Sequence, residues 1–489
     1  PDLTRADPAT MGNSGGPIVF DQDGPEVFAT IFTIAPSRFD TSTVWTGSDD
    51  GFVQVTRNAG RSWRNVTPPG LTPRSRVSRI DASPHRPGSA YVAVERHQLG
   101  DRAPYAWRTD DFGSTWTPIH AGLPPGAFVR VIREDPVRPG LLFAGTEHGV
   151  FASLDNGTTW RALSLNMPDL QVADLVVKDN DVVIATHGRS FWVLDDITPV
   201  RQASAPMLER TETRAQLFRP PTATRRLGPA HIDYYLPVGT DSAAITLDDA
   251  GTQRVRRWTI RARTGLLRTN WDLTYPGATS FPGIVLEGGN PERGVLAPPG
   301  SSRLTLTAWS ASGVATSVQP LVLARDPRQP GVSDADLRRQ FQLAMNIRTA
   351  ESEANEGVLR VRALRADVTT RLADTLALSA TARRPVVAAA DTLLSAVGAV
   401  EGELYQVKNQ SPKDKIANPI KVNDRLTGLR SIVESGDGAP TVAQGRVYQE
   451  LRRELDLLLS RLGVALDRDL ARLNAALRAA GLPPIGPRS

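Results

Sequence analysis

The chain has 489 residues, 40% of them apolar, and no cysteine, which suits about three globular domains and excludes disulfides, thiolate metal sites and cysteine nucleophiles. The formal net charge of +5 comes from arginines dispersed along the chain, with Lys178, Lys408, Lys413, Lys415 and Lys421 the only lysines; no basic stripe interleaved with aromatics points to nucleic acid. No run approaches the ~18 apolar residues of a membrane span, and no leader precedes Pro1, so a processed or truncated N-terminus is expected, with any signal peptide upstream.

The first notable stretch is "GNSGGPIVF", Gly12 to Phe20, which fits both the nucleophile segment of trypsin-like proteases and a G-x-S-x-G elbow. Neither context follows. No histidine precedes Ser14, and Pro17 to Phe20 continue as a strand where an elbow needs a helix. The expectation is a turn at Gly15 and Gly16 leading into a strand with Ile18 and Phe20 facing inward.

A repeat follows. "TRNAGRSW" (Thr56 to Trp63), "TDDFGSTW" (Thr109 to Trp116) and "SLDNGTTW" (Ser153 to Trp160) share the pattern [S/T]-x-[D/N]-x-G-x-[S/T]-W. Apolar strands and turn residues precede each copy, and the second unit carries a longer insertion, "ERHQLGDRAPYAWR". A fourth, decayed unit reads "QVADLVVKDNDVVIATHGRSFWVLDD". Each unit holds about four short strands, the content of one β-propeller blade. The motif has a structural logic. Asn58, Asp111 and Asp155 are expected to accept backbone N–H bonds across a tight turn. Gly60, Gly113 and Gly157 are expected to take a positive φ, and Trp63, Trp116 and Trp160 to fold beneath the turn. Burying one such indole is worth about 4–6 kcal/mol at most.

This motif is identified as the Asp-box, or bacterial neuraminidase repeat. The wording of "WTGSDDGFVQVTRNAGRSWRNVTPPGL", "VVIATHGRSFWVLDDITPVRQ" and "LYQVKNQSPKDKIANPIKVNDRLTGL" resembles large bacterial Asp-box propeller proteins described as sortilin-like or as "glycosyl hydrolase, BNR repeat". The resemblance implies a propeller whose further blades lie N-terminal to this chain, and an exported protein. It does not imply one activity, because sialidases, xyloglucanases, sortilins and photosystem assembly factors share the repeat, and fold does not fix function.

Residues 201–228 read as a proline-containing linker. From 229 to 328, segments such as "IDYYLPV", "SAAITLDD", "RRWTIRA" and "RLTLTAWSA" predict an immunoglobulin-like β-sandwich; "GLLRTNWDLTYPGA" is similar to accessory sandwiches of exported bacterial proteins. Residues 329–489 predict an antiparallel helical bundle. Ser333 and Asp336 form a capping-box pattern. Helices are expected near 333–379, 382–408 and 418–435. A last one, about 442–480, carries a seam of Leu451, Leu455, Leu458, Leu462, Leu466, Leu470, Leu473 and Leu477. The expected fold class is therefore multidomain: an all-β partial β-propeller over 1–200, then an Ig-like β-sandwich, then an all-α helical bundle.

Chemistry is sparse. Loop carboxylates are Asp49, Asp50, Glu95, Asp101, Glu134, Asp135 and Glu147; "GSDDG" and "GTEHG" occupy equivalent hairpin turns, which puts Asp49, Asp50, Glu147 and His148 on one rim. "THGRSFWVLDD" adds His187, Arg189 and Trp192, with Asp195, at a rim or channel. Glycoside hydrolysis needs two carboxylates about 5–10 Å apart, whereas turn carboxylates are ordinarily only polar. The six histidines are scattered without ligand spacing, and no phosphate loop or dinucleotide fingerprint occurs, so no metal or cofactor is expected. The sequence favours a non-catalytic exported binding protein for a protein, peptide or glycan. The alternative is a glycoside hydrolase sharing its cleft with upstream blades.

Overall fold

The structure, a computed structural model, describes residues 2–7, 9, 22, 23, 26–163, 165–261 and 263–486. "GNSGGPIVF", with Ser14, Gly15, Gly16, Ile18 and Phe20, lies outside the described residues. The chain divides into two compact units, Pro1–Glu212 and Thr213–Ser489.

In the first unit a short hairpin, β1 (Gln22–Asp23) and β2 (Glu26–Val27), precedes four antiparallel meanders. The first comprises β3 (Ile31–Pro36), β4 (Val44–Ser48), β5 (Val53–Thr56) and β6 (Arg64–Asn65). The second comprises β7 (Arg76–Ala82), β8 (Ala90–Arg96), β9 (Asp101–Thr109) and β10 (Thr117–Pro118). The third comprises β11 (Val129–Glu134), β12 (Leu142–Thr146), β13 (Gly149–Ser153) and β14 (Arg161–Ala162). The fourth has β15 (Val172–Lys178), β16 (Asp181–Thr186) and β17 (Phe191–Leu194). Every meander carries a register shift near the start of its first strand, at Ile31/Thr33, Val77/Arg79, Val129/Val131 and Val172/Asp174. Such bulges bend and twist a strand.

Apolar side chains between successive sheets fill three clusters. Val53, Val55, Val77 and Val92 join the first two meanders. Ala93, Ala106, Val129 and Leu142 join the second and third, and Val131, Phe143, Val172 and Leu175 the third and fourth. Consecutive meanders stacked face to face along their first strands are the construction of β-propeller blades. The unit ends in two short helices, α1 (Thr198–Gln202) and α2 (Ala205–Leu208).

In the second unit, β18 (Gln216–Leu217), β20 (Ala230–Leu236) and β23 (Gly265–Trp271) form one sheet. β19 (Ala223–Thr224), β25 (Gly313–Ala324), β24 (Gly300–Ser310), β21 (Thr240–Asp248) and β22 (Arg254–Arg261) form the other. Leu217, Ile232 and Tyr234 of the first meet Ile245, Leu304, Leu306 and Leu321 of the second in one core. Part of the stretch 201–228 is thus drawn into these units: α1 ends and α2 lies within it, and β18 and β19 pair with β20 and β25.

The helical part has α3 (Asp334–Asp374), α4 (Ala380–Leu404), α5 (Val422–Val433), α6 (Val442–Val464) and α7 (Leu470–Ala479). At the start of α3 the Asp336 N–H donates to Ser333 Oγ (3.1 Å) and the Ser333 N–H to Asp336 Oδ2 (3.0 Å), a complete capping box. The expected single helix over 442–480 is interrupted by a π turn, Ala465–Asp469. Leu451, Leu455, Leu458 and Leu462 are buried before it and Leu470, Leu473 and Leu477 after it. Within the turn Ala465 and Asp469 face the core and Leu466 is only partly buried, because the wider turn rotates the following face. α4 is long and apolar enough to cross a membrane by length and composition; here Val386, Ala390, Leu393, Val397 and Leu404 are buried in the helical core.

Polar clamps tie the second unit's sheets to its helices. The buried Arg225 donates to Ala297 O (3.2 Å), Gln340 Oε1 (3.0 Å) and Asp437 Oδ1 (3.1 Å). Arg430 donates to Glu351 Oε2 (2.9 Å) and to the carbonyls of Arg293, Asn290 and Pro291. Asp424 accepts the N–H groups of Glu287 (3.0 Å) and Gly288 (2.6 Å). Tyr405, whose hydroxyl accepts the Val285 N–H (3.1 Å), and Asp424 come from the "LYQVKNQSPKDKIANPIKVNDRLTGL" stretch, so these two residues grip the connection between β23 and β24.

Candidate functional site

The three repeat motifs have one geometry. Asp111 Oδ1 accepts from the Thr115 N–H (2.9 Å) and Thr109 Oγ1 (2.8 Å), and Oδ2 from Thr115 Oγ1 (2.7 Å). Asp155 makes the same set with Thr159 and Ser153, and Asn58 accepts from the Ser62 N–H (2.9 Å) and Thr56 Oγ1 (3.0 Å). The hydrogen bonds from Thr115 hold the Asp111 carboxyl below the usual carboxylate range. The next residue in each copy, Ala59, Phe112 or Asn156, is left-handed, and so are Gly60, Gly113 and Gly157 at φ +83°, +76° and +88°.

The second and third motifs also reach backwards. Trp116 Nε1 donates to Val66 O (2.7 Å) on the first meander, and Trp160 Nε1 to Ile119 O (2.6 Å) on the second. A Cβ on Gly113 or Gly157 would stand 2.6 Å from Val66 or 2.7 Å from Ile119. These residues staple a sheet to its predecessor and leave no group for chemistry.

The rim residues divide into two groups. Asp49 and Asp50 are drawn inward. Asp49 accepts the Thr30 N–H (2.8 Å) and Thr30 Oγ1 (3.1 Å), and burial raises its pKa. Asp50 accepts the N–H groups of Arg5 (2.6 Å) and Ala6 (2.9 Å). Of the others, Glu147 and His187 meet at Gln171. Its side chain donates to Glu147 Oε2 (3.0 Å), and its carbonyl accepts from the exposed His187's N–H (2.9 Å). His148 lies beside Asp169 (3.0 Å). Arg189 is exposed, and its carbonyl accepts from Trp192 Nε1 (3.3 Å). The remaining carboxylates are structural, and three of those expected on loops lie in strands instead: Glu95 in β8, Asp101 at the start of β9 and Glu134 at the end of β11. Asp101 takes the Ala103 N–H and Tyr105 hydroxyl, Glu134 the Ser83 hydroxyl and Gly140 N–H, and Asp135 the Arg201 guanidinium.

A cluster that motif reading does not assemble lies between the second and third meanders. The Glu95 side chain is 1% exposed beneath Arg76 (3.1 Å), His97 (3.4 Å) and Arg130 (3.5 Å). The His97 ring stacks on Phe128, centroids 4.8 Å apart, and the Arg130 guanidinium lies 5.3 Å from the same ring. Burial pushes the His97 pKa down; Glu95 opposes this, and Arg130 and Arg76 reinforce it. Further along the first strands, Arg79 pairs with Asp174 (2.5 Å), and Arg133 bridges Asp81 (3.1 Å) and Asp174 (3.3 Å). Arg102, in the insertion of the second repeat, lies 3.8 Å from Glu147. The available signal was that insertion together with arginines in both first strands, "RVSRIDA" and "VRVIRE".

In the second unit a cleft of about 400 Å³ lies between the 249–251 turn and α3, bordered by Trp271, Tyr275, Arg338 and Phe341. The Tyr275 hydroxyl donates to Asp249 Oδ2 (3.1 Å). Among the described residues no three His, Asp or Glu side chains converge as metal ligands would.

No protein-family model matches the sequence, and no curated protein matches it. Among solved structures, YCF48 bound to D1 peptide is similar over 60% of this chain and 81% of its own, at 15% identity and TM-score 0.26. An ancestral GH74 enzyme is similar over 60% of this chain and 41% of its own, at 12% identity and TM-score 0.26. The extracellular domain of BT4673 from B. thetaiotaomicron covers 61% of this chain and 37% of its own, at 10% identity and TM-score 0.26. The chain spans less than half of the latter two. Superpositions at this level carry no residue correspondence, so the propeller construction rests on the four meanders themselves.

Proposed function

We propose that the first unit is part of an Asp-box β-propeller that binds a protein, peptide or glycan at its rim and performs no catalysis. The observation that carries this reading is the engagement of the carboxylates. Asp49 and Asp50 hold backbone N–H groups, Glu95 lies beneath two arginines and a histidine, and Asp81 and Asp174 are paired with Arg133 and Arg79. A glycosidase needs an acid and a second carboxylate, both facing one substrate. What the rim offers a ligand is guanidinium, imidazole and amide, from Arg76, Arg130, His148, His187 and Gln171. The family resemblance supports the wider assignment: an extracytoplasmic protein with further blades N-terminal to this chain, an Ig-like sandwich over 229–328 and a bundle over 329–489.

The test is a screen of the full chain against peptide and glycan arrays, followed by titration. The expected result is saturable binding weakened at least tenfold by Arg130→Ala, with no turnover of xyloglucan or sialosides. One observation favours the second reading, a glycoside hydrolase completed by upstream blades: Glu147 stays half-buried at the rim. Turnover abolished by Glu147→Gln would replace the first reading with that one.

A further inference from the structure

Two unpaired arginines of the second unit border one groove. The cleft of about 400 Å³ that holds Arg338 adjoins another of about 410 Å³ that holds Arg303, and Asp249, Ala250, Ser301 and Ser302 line both. Each guanidinium is free because another arginine holds the nearest carboxylate. Asp248 stands opposite Arg303 in the register but pairs with Arg254 of β22, on the far side of β21. Asp334 lies one helical turn before Arg338 but pairs with Arg325 (3.8 Å). Among the described residues neither Arg303 nor Arg338 makes a hydrogen bond or an ion pair, and both are exposed.

The floor of the Arg338 half is apolar and aromatic. Trp271, Tyr275 and Leu323 are buried there. The half-buried Phe341 ring lies 4.8 Å from that of Tyr275, centroid to centroid, tilted by 52°. Where the two clefts meet, Asp249 accepts the Gln253 N–H (2.9 Å) on one carboxylate oxygen and the Tyr275 hydroxyl (3.1 Å) on the other. Each oxygen keeps a lone pair for a further donor. The walls are held rigidly. Arg225 donates both to Ala297 O, in the floor, and to Gln340 of α3, the helix that carries Arg338 and Phe341. A site fixed in advance loses less entropy when a ligand binds.

An aromatic floor, a carboxylate, serine hydroxyls and two spare guanidiniums suit a ligand with apolar C–H faces, hydroxyl groups and negative charge. Two guanidiniums against one carboxylate set the sign of that charge. Main-chain recognition of a peptide has no room here. Beyond the end of β21 only residues 300–302 of β24 lie opposite no strand on that side, too short a run to add a peptide strand. We infer that the groove binds an acidic oligosaccharide of about two or three sugars, a size that clefts of this volume hold. A uronate carboxylate meets Arg338, the sugar ring behind it lies on Phe341, its hydroxyls donate to Asp249, and the next acidic group reaches Arg303. The groove lies wholly within the second unit and uses none of the rim residues, so this inference stands or falls separately from the rim reading.

The experiment is isothermal titration calorimetry of the full chain with trigalacturonate, trimannuronate and a hyaluronan tetrasaccharide, against cellotriose and hexaglutamate. Saturable binding of at least one acidic sugar is expected. It should weaken at least tenfold when that sugar's carboxylates are methyl-esterified, and in the variants Arg338→Gln and Arg303→Gln, whose parent side chains make no hydrogen bond or ion pair. It should be unchanged by Arg130→Ala. No saturable binding of any acidic sugar, or equal affinity for cellotriose, for the methyl ester or for hexaglutamate, overturns the inference. Binding that either glutamine variant leaves unchanged overturns it too. If Arg130→Ala abolishes the binding instead, the sugar sits at the rim, which supports the rim reading and removes this one.

Discussion

The two units solve the same problem differently. The first is held by a local device: an eight-residue motif closes its own turn in three copies, and in the second and third copies locks to a carbonyl about 40–50 residues upstream. The second is held by single-use pairs across great sequence separation, such as Arg225 with Asp437 and Arg430 with Glu351. A repeated device spreads stability over equivalent sites. A single-use buried pair concentrates it, because losing one partner leaves the other charge buried and unpaired.

The contrast can be broken most directly by two truncations compared in urea unfolding of the full chain. Arg225→Ala should cost about 3–5 kcal/mol in the transition of the second unit. Trp160→Ala should cost about 3–5 kcal/mol in that of the first. If both fall in one shared transition, the division into separately stabilised units fails.

The next effect sharpens the repeat itself. Gly157→Ala meets both a left-handed backbone and Ile119, and should cost about 2–5 kcal/mol. Gly60→Ala meets the backbone term alone, its nearest neighbour standing 3.8 Å away on Trp63, and should cost about 1–2 kcal/mol. Equal costs would mean that backward locking adds nothing. Asp155→Ala removes charge-assisted bonds to Thr159 and Ser153 and should cost about 1.5–3 kcal/mol, with Asn58→Ala below it because its bonds are uncharged.

The smallest effect is a pH dependence. Burial holds the His97 pKa below its unfolded value, so below about pH 6.5 the unfolded chain binds a proton more readily than the folded one. Stability is therefore full above that pH and declines as the pH falls through it, levelling off once the folded His97 also protonates. The His97→Gln variant should show a flatter profile between pH 7 and 5 by chemical denaturation; an unchanged slope would remove His97 as the source.

Legibility followed sequence distance. The turns of the repeat could be read because donor, acceptor and glycine lie within eight residues. The Ser333 cap and the leucine seam could be read for the same reason. The π turn could not, since a continuous 3–4 spacing of leucines gives no sign of the extra residue at Ala465–Asp469. The Glu95 cluster was missed because Arg76 in β7, His97 just after β8 and Arg130 in β11 come from separate segments and meet only once two meanders stack. Asp49 and Asp50 matched Glu147 in hairpin position, but a turn position does not tell which way a carboxylate points, and both were claimed by Thr30, Arg5 and Ala6.

The backward direction of the tryptophan locks also bears on how the chain assembles. Trp116 and Trp160 each bond a carbonyl that leaves the ribosome earlier than they do. The second and third sheets thus find their anchors already in place, and neither must wait for a later one before its indole is satisfied. The first unit is suited to being laid down in the order of synthesis, and on forced unfolding from its C-terminal side it should peel one sheet at a time.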